Sequence, residues 1–387
     1  MLTENIKFKN YQKKKKSLIK ILLKKLLDDS LKKKNLLNIL TKSYKYSYKK
    51  NFILKYKKFS QIRIIGMGGS ILGTEAIYSF LKHKIKKNFI FINNLGLSLK
   101  NNKLNKKMLN LIVSKSGNTL ETISNVNILI KKSDKNIFIT ENKNNYLRNL
   151  AQKIRSEVIE HKNFVGGRYS VLSEVGMLPA ELMGLKEKNF KQLNKLINNQ
   201  TFLNDLVHNV SATLSYLKSG KYTSVILNYD ERSENLFKWY QQLIAESLGK
   251  KSRGILPIIS SMPKDNHSLM QLYLDGPKKS FYTFFYVKEK NSKKIINKSI
   301  LPSHNYLKNK DINNIIYSQK LATEKIFKSK NIPFRSFEIF HRNEKSMGEL
   351  FCFFILETIL LAKALKVNPF DQPAVELIKK ETKKILT

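Results

Sequence analysis

From about residue 58 onward, short apolar runs alternate with segments whose apolar positions recur every three or four residues. The runs at 61–65, 88–92, 108–113, 136–140 and 157–160 have the length and continuity of strands buried on both faces. The segments between them carry helical spacing. A second series follows, with helices near 189–200 and 202–219, strands at 223–228, 255–260, 280–288 and 335–341, and helices at 234–248, near 311–329 and at 346–366. Strand and helix alternating at this rhythm predict α/β architecture, with doubly wound parallel sheets covered by helices on both faces. The pattern divides into a helical N-terminal arm over 1–50, one α/β unit over 51–185, a second over 186–366, and a helical segment over 367–387.

The apolar fraction of 42 % is enough for real cores in a 387-residue chain, which excludes wholesale disorder. The net charge of +43 would suit a polyanion partner, but only eight of the 72 basic residues are Arg, the planar reader of phosphates and bases. The lysines are scattered, apart from short runs at 13–16 and 32–34, and no nucleic-acid recognition motif is present. The reading is a solvated surface, with no specific nucleic-acid partner. Cys352 lies alone in an apolar stretch, which fits packing in a reducing compartment. The longest apolar run, 350–365, is interrupted by Glu357 and Lys363 and is too short to span a bilayer. With no secretory signal in the N-terminal residues, a cytoplasmic protein without membrane contact is expected.

Six segments could carry chemistry. Ile65-Gly66-Met67-Gly68-Gly69-Ser70-Ile71-Leu72-Gly73 follows a strand and opens a helix, so its glycines allow a ligand close to backbone N–H groups. Ser114-Lys115-Ser116-Gly117-Asn118-Thr119 sits at a second strand-to-helix junction, with the hydroxyls and helix N-terminus that suit a phosphate. Two such turns favour one small phosphorylated ligand. In Phe164-Val165-Gly166-Gly167-Arg168-Tyr169-Ser170 a scarce Arg follows two glycines, where it can meet an oxyanion. Gln242 and Glu246, four apart, share one helix face, either as a solvated stripe or as groups in a site of low dielectric. His267 is a lone histidine, and Lys379, two helical turns beyond Gln372, is not distinguishable by composition from the other lysines. No His/Cys cluster has metal-ligand spacing.

Taken in order, IGMGGSILG, SKSGNTLET, FVGGRYS, QQLIAES, HSLMQLYLDGP and NPFDQPAVELIKK resemble the phosphoglucose isomerase (glucose-6-phosphate isomerase) family, over about 61–380. Ahead of His267 the chain departs from the family pattern, with Met262-Pro263 where Gly-Thr is usual and Asn266 where Gln is usual. The resemblance implies two sugar-isomerase (SIS) type α/β domains in a homodimer. It also implies interconversion of glucose 6-phosphate and fructose 6-phosphate without metal or organic cofactor. Ser114, Lys115, Ser116 and Thr119 would then hold the phosphate, with Gly68 and Ser70 beside the sugar. Glu246 would carry the proton between C1 and C2, and Arg168 would stabilise the cis-enediolate. His267, supplied by the partner subunit, and Lys379 would serve ring opening, while Gln242 and Gln372 would orient the reacting groups. Two other readings use the same phosphate site: an isomerase that also turns over mannose 6-phosphate, and a non-catalytic SIS module that only binds sugar phosphates.

Overall fold

The computed structural model describes residues 1–11, 17–30, 35–96, 108–131, 133–289 and 291–387. The lysine runs at 13–16 and 32–34 lie outside the described residues. Ten strands are present among them: β1 (Ile6–Lys9), β2 (Gln61–Gly66), β3 (Asn88–Ile92), β4 (Met108–Val113), β5 (Lys135–Thr140), β6 (Glu157–Glu160), β7 (Thr223–Asn228), β8 (Leu256–Ser261), β9 (Ser280–Val287) and β10 (Phe334–Ile339). They form two five-stranded sheets, ordered β3-β2-β4-β5-β6 and β1-β10-β9-β7-β8. Every pairing is parallel except that of β1 with β10.

Strands apolar on both faces need cover on both sides, and alternate residues serve the two covers. On β9, Phe281, Phe285 and Val287 enter the main core, while Tyr282, Phe284 and Tyr286 face a separate cluster with Phe327 of the helix Ile312–Ser329. On the first sheet, Leu109, Leu111, Ile137 and Ile139 enter the same main core. Ile112 and Phe138 turn to a third cluster with Val126 and Leu147 of the helices Leu120–Leu129 and Tyr146–Lys153. The helix Glu344–Ala364 is buried almost all round, as its run of apolar residues demands. No helix among the described residues is long and apolar enough to cross a membrane. Cys352 is within this helix, and burial pushes its thiol up to about 12.

Glu357, also in this helix, is paired with Arg335 of β10, and both are 2 % exposed. Asn209, Tyr240 and Thr283 complete the hydrogen bonding around the pair. Replacing Arg335 with Met would strand the carboxylate in the core. We expect a loss of about 3–5 kcal/mol, read as a lower denaturation midpoint at unchanged m-value.

The N-terminal arm corrects one expectation. It is not purely helical: Ile6–Lys9 pairs antiparallel with β10 and forms one edge of the second sheet, and Thr3 and Asn5 bond the buried Glu349 carboxylate. The helix expected near 189–200 is also broken, into a 3-10 turn Glu187–Phe190 and the short helix Leu193–Leu196.

Candidate active site

The first sheet switches direction between β2 and β4, where chain connections leave to opposite sides and a crevice opens beyond the strand ends. Gly66 and Val113 are register partners at that point, so the turns 66–73 and 114–119 leave side by side. In the second turn, Gly117 has φ +67°, and a Cβ there would lie 1.9 Å from Asn145 Oδ1; only glycine fits. Ser114 Oγ and Thr119 Oγ1 are 2.9 Å apart at the entrance to the helix Leu120–Leu129, whose first N–H groups lack helical acceptors. Ser116 is exposed beside them. Lys115 is engaged with the carbonyl of Asn163 at 2.9 Å and with Glu141 at 3.5 Å.

The second sheet has an equivalent switch point between β7 and β9, but it is plugged. Arg342 donates to Asp230 just beyond β7, at 2.6 and 3.1 Å, and to Glu289 just beyond β9, at 2.8 Å. That half serves the first crevice instead through the last turn of the helix Glu234–Leu248, which carries Glu246. Trp239, Tyr240, Leu243 and Ile244 bury the inner face of this helix, leaving Gln242 and Glu246 on the side toward the first sheet. Gly68 has φ +51°, and a Cβ there would meet Gln242 Nε2 at 2.7 Å, so the first turn lies directly against this face.

Arg168 is the hub, and its side chain is 4 % exposed. Nη1 donates to Glu246 Oε2 at 2.7 Å and to Gln372 Oε1 at 2.8 Å. Nη2 donates to the carbonyls of Pro369 and Asp371 at 2.7 and 2.9 Å, and Nε donates to Ser247 Oγ at 2.9 Å. A planar fork of five donors is thus fully used, which a lysine could not reproduce. Burial raises the Tyr169 phenol, which stays protonated and bonds Ser247 Oγ and the Pro369 carbonyl. Trp239 Nε1 donates to the Arg168 carbonyl at 3.1 Å, and Ser170 Oγ ties the same turn to the Gly69 carbonyl at 3.2 Å. Gln242 Nε2 donates to Glu246 Oε1 at 2.8 Å, while its Oε1 is buried with no partner among the described residues. A cavity of about 670 Å³ opens here, lined in part by Glu246, Asn368, Gln372 and Val375. A helix-borne carboxylate whose Oε2 faces a guanidinium is an arrangement that suits proton transfer next to a developing oxyanion. Among the described residues no His/Cys/Asp/Glu cluster could hold a metal.

The sequence model of the phosphoglucose isomerase family matches residues 47–262. A glucose-6-phosphate isomerase of Methanocaldococcus jannaschii is 35 % identical over 84 % of the chain and 85 % of that protein. The chain belongs to the phosphoglucose isomerase family. A further glucose-6-phosphate isomerase, from Campylobacter jejuni, is 29 % identical over 90 % of the chain and 89 % of that protein. The fold is shared with a hypothetical protein from Thermus thermophilus, with TM-score 0.84 at 23 % identity, covering 96 % of the chain and 95 % of that structure. It is shared also with a glucose-6-phosphate isomerase from Chlamydia trachomatis, with TM-score 0.73 at 18 % identity, covering 97 % and 76 %.

Of the residues that phosphoglucose isomerase motifs single out, Arg168, Glu246, Gln242 and Gln372 share one hydrogen-bonded cluster, with Gly68 against it. Ser70 lies in the same turn as Gly68. Ser114, Lys115, Ser116 and Thr119 stand in the turn alongside, without a hydrogen bond to this cluster among the described residues, and His267 and Lys379 are elsewhere. Lys379 lies on the exposed helix Pro373–Leu386, where its Nζ pairs with Glu376 at 2.6 Å. His267 is exposed after the short turn Lys264–Asn266. That turn is stapled by Asp265. Burial acts to raise its carboxyl, but bonds from Ser260, the Ser261 N–H and Ser268 outweigh it and hold the group below the usual range. Residue-by-residue reading missed Ser247, Tyr169, Trp239 and the carbonyls of 369 and 371. All lie within or next to the motif segments, but all except Tyr169 bond Arg168 from distant positions, so only the spacing within each motif could have signalled them.

Proposed function

We propose that the chain interconverts glucose 6-phosphate and fructose 6-phosphate through a cis-enediolate. Glu246 takes the proton from C2 or C1 and returns it to the neighbouring carbon, while Arg168 stabilises the enediolate oxygens. The observation that supports this most is the Arg168 Nη1–Glu246 Oε2 contact of 2.7 Å beside the glycine turn 66–73. Moving a carbonyl between adjacent carbons needs a base for a carbon-bound proton and a cation facing the new oxyanion. Substrate oxygens would take the place on Nη1 that the carboxylate occupies in the free enzyme. The unpartnered Gln242 Oε1 would then accept from a sugar hydroxyl.

Ser114, Ser116, Thr119 and the free amides after them would hold the phosphate, with Lys115 released from Asn163 to join them. Because the phosphate is remote from C1 and C2, its binding energy positions the sugar. The chain's own groups would supply all the chemistry, without cofactor or metal. Ring opening falls to His267 and Lys379. Since neither joins the cluster within one chain, this reading includes a homodimer in which His267 enters from the partner subunit, working in the cytoplasm.

A coupled assay of purified protein with fructose 6-phosphate tests the activity, with mannose 6-phosphate run alongside. Replacing Ser116 and Thr119 together with Ala should raise KM and weaken binding of inorganic phosphate about 10-fold or more, from two lost bonds to a charged group, with kcat less affected. Unchanged phosphate binding would remove these hydroxyls from the cradle.

A further inference from the structure

Lys191 has no part in the chemistry above, yet it is one of the most deeply buried cations in the molecule, at 3 % exposure. It caps the 3-10 turn Glu187–Phe190, and its ammonium donates to two carbonyls from distant parts of the chain. One is Ile39, in the 3-10 turn Leu36–Leu40 of the N-terminal arm, and the other is Leu172. Leu172 ends the turn Gly167–Leu172, the turn that carries Arg168. The rings of Tyr44 and Tyr46, also on the arm, each lie 5.0 Å from the ammonium.

A second set of arm contacts grips the chain two residues further on. Tyr44 Oη donates to the Glu174 carboxylate at 2.9 and 3.1 Å, and the Ser47 N–H donates to it at 2.9 Å. Glu174 opens the helix Glu174–Leu182, so the exit of the Arg168 turn is clasped by the arm on both sides. An ammonium costs free energy to bury and holds its geometry only while its donors are satisfied.

We propose that Lys191 is a positioning residue for the isomerisation: by bridging Ile39 and Leu172 it makes the N-terminal arm a buttress for the turn that presents Arg168. The inference rests on Arg168 being the group that stabilises the oxyanion. The charged groups facing Lys191 are Glu174 of the following helix, Glu187 of its own turn and Lys162 before the Arg168 turn, with Tyr44 and Tyr46 on the arm and the Cys352 thiol on the central helix. Burial, only partly offset by Glu174, brings the Lys191 ammonium down to about 7. The bridge is therefore at full strength below that pH and weakens as the proton is lost above it.

Three variants of the full-length protein test this, with kcat and KM for fructose 6-phosphate measured from about pH 6 to pH 9. Lys191→Met keeps the stem and removes the ammonium; Tyr44→Phe removes one bond to Glu174; Lys195→Met, at an exposed lysine, is the control. At pH 6 Lys191→Met should lose about 10–100-fold in kcat with KM within about threefold, the scale expected for slight misplacement of a reacting group. The wild-type to Lys191→Met ratio should shrink as pH rises through about 7. Tyr44→Phe should lose about 3–10-fold in kcat while keeping the wild-type pH dependence, and Lys195→Met should match wild type. If Lys191→Met does not fold, Tyr44→Phe decides alone. Wild-type kcat in Tyr44→Phe, or a Lys191→Met ratio constant across pH, would overturn the proposal. Arg168→Lys, run in parallel, separates the two claims: undiminished kcat there would remove the role of Arg168 itself, whereas its loss beside unaffected clasp variants would remove only the buttress.

Discussion

Glu246→Gln should lower kcat by about 10²–10⁴-fold while leaving KM for fructose 6-phosphate near the wild-type value. The substitution keeps size and reach, and its single amide oxygen can still serve one of the two donors, Arg168 Nη1 or Gln242 Nε2, while the other loses its acceptor. What disappears is the ability to accept a proton from carbon. The fold should not suffer, because Arg168 retains Gln372, Ser247 and the carbonyls of Pro369 and Asp371. Melting temperature within a few degrees of wild type, measured on the same preparation, would show the loss to be chemical. Glu246→Asp offers a graded companion: it keeps the base but withdraws it by one methylene from the Arg168 fork, and an intermediate kcat is expected.

Arg168→Lys should cost about 10²–10³-fold in kcat, the scale of losing a pre-organised donor at an oxyanion. The charge survives, but a single ammonium cannot reach Glu246, Gln372, Ser247 and two carbonyls on opposite edges of one plane. The effect should therefore reach beyond catalysis. The segment 368–372 is held to the body through Nη1, Nη2 and the Tyr169 hydroxyl, and in the variant it keeps the Tyr169 bond and Lys250, which donates to the Asn368 carbonyl and pairs with Asp371 at 3.0 Å. Faster proteolytic cutting near 366–372 should accompany the kinetic loss. Wild-type kcat with faster cutting would reduce Arg168 to a structural clamp.

The strands of both sheets were legible because residues such as 109–113 and 281–287 are apolar on both faces, a pattern that depends on nothing distant. β1 was not. IKFK is four residues long with alternating lysines, and its partner is some 330 positions away on β10, so only the assembled sheet edge makes it a strand. The break near residue 191 was hidden for a similar reason. A lysine inside a helical-looking segment reads as surface until the carbonyls of 39 and 172 are seen around it. Buried charges in general escaped the sequence reading, since Arg335 and Glu357 announce their partners only in three dimensions.

At the site, Arg168, Glu246, Gln242 and Gln372 were readable because their neighbours form compact local motifs. The hydrogen bonds joining three distant segments were not. His267 and Lys379 carry equally recognisable neighbours, yet one chain leaves them apart from the cluster. Their motifs specify local sequence, whereas the proposed use of His267 depends on how a second chain is arranged.

Hydrogen exchange at C2 of glucose 6-phosphate, followed by NMR in D₂O, tests the central claim most directly. Wild type should replace the C2 hydrogen with deuterium as it isomerises. Glu246→Gln should bind the sugar phosphate with a similar Kd yet leave the C2 hydrogen in place over the same period. Exchange by the variant at the wild-type rate would mean that another group removes the proton.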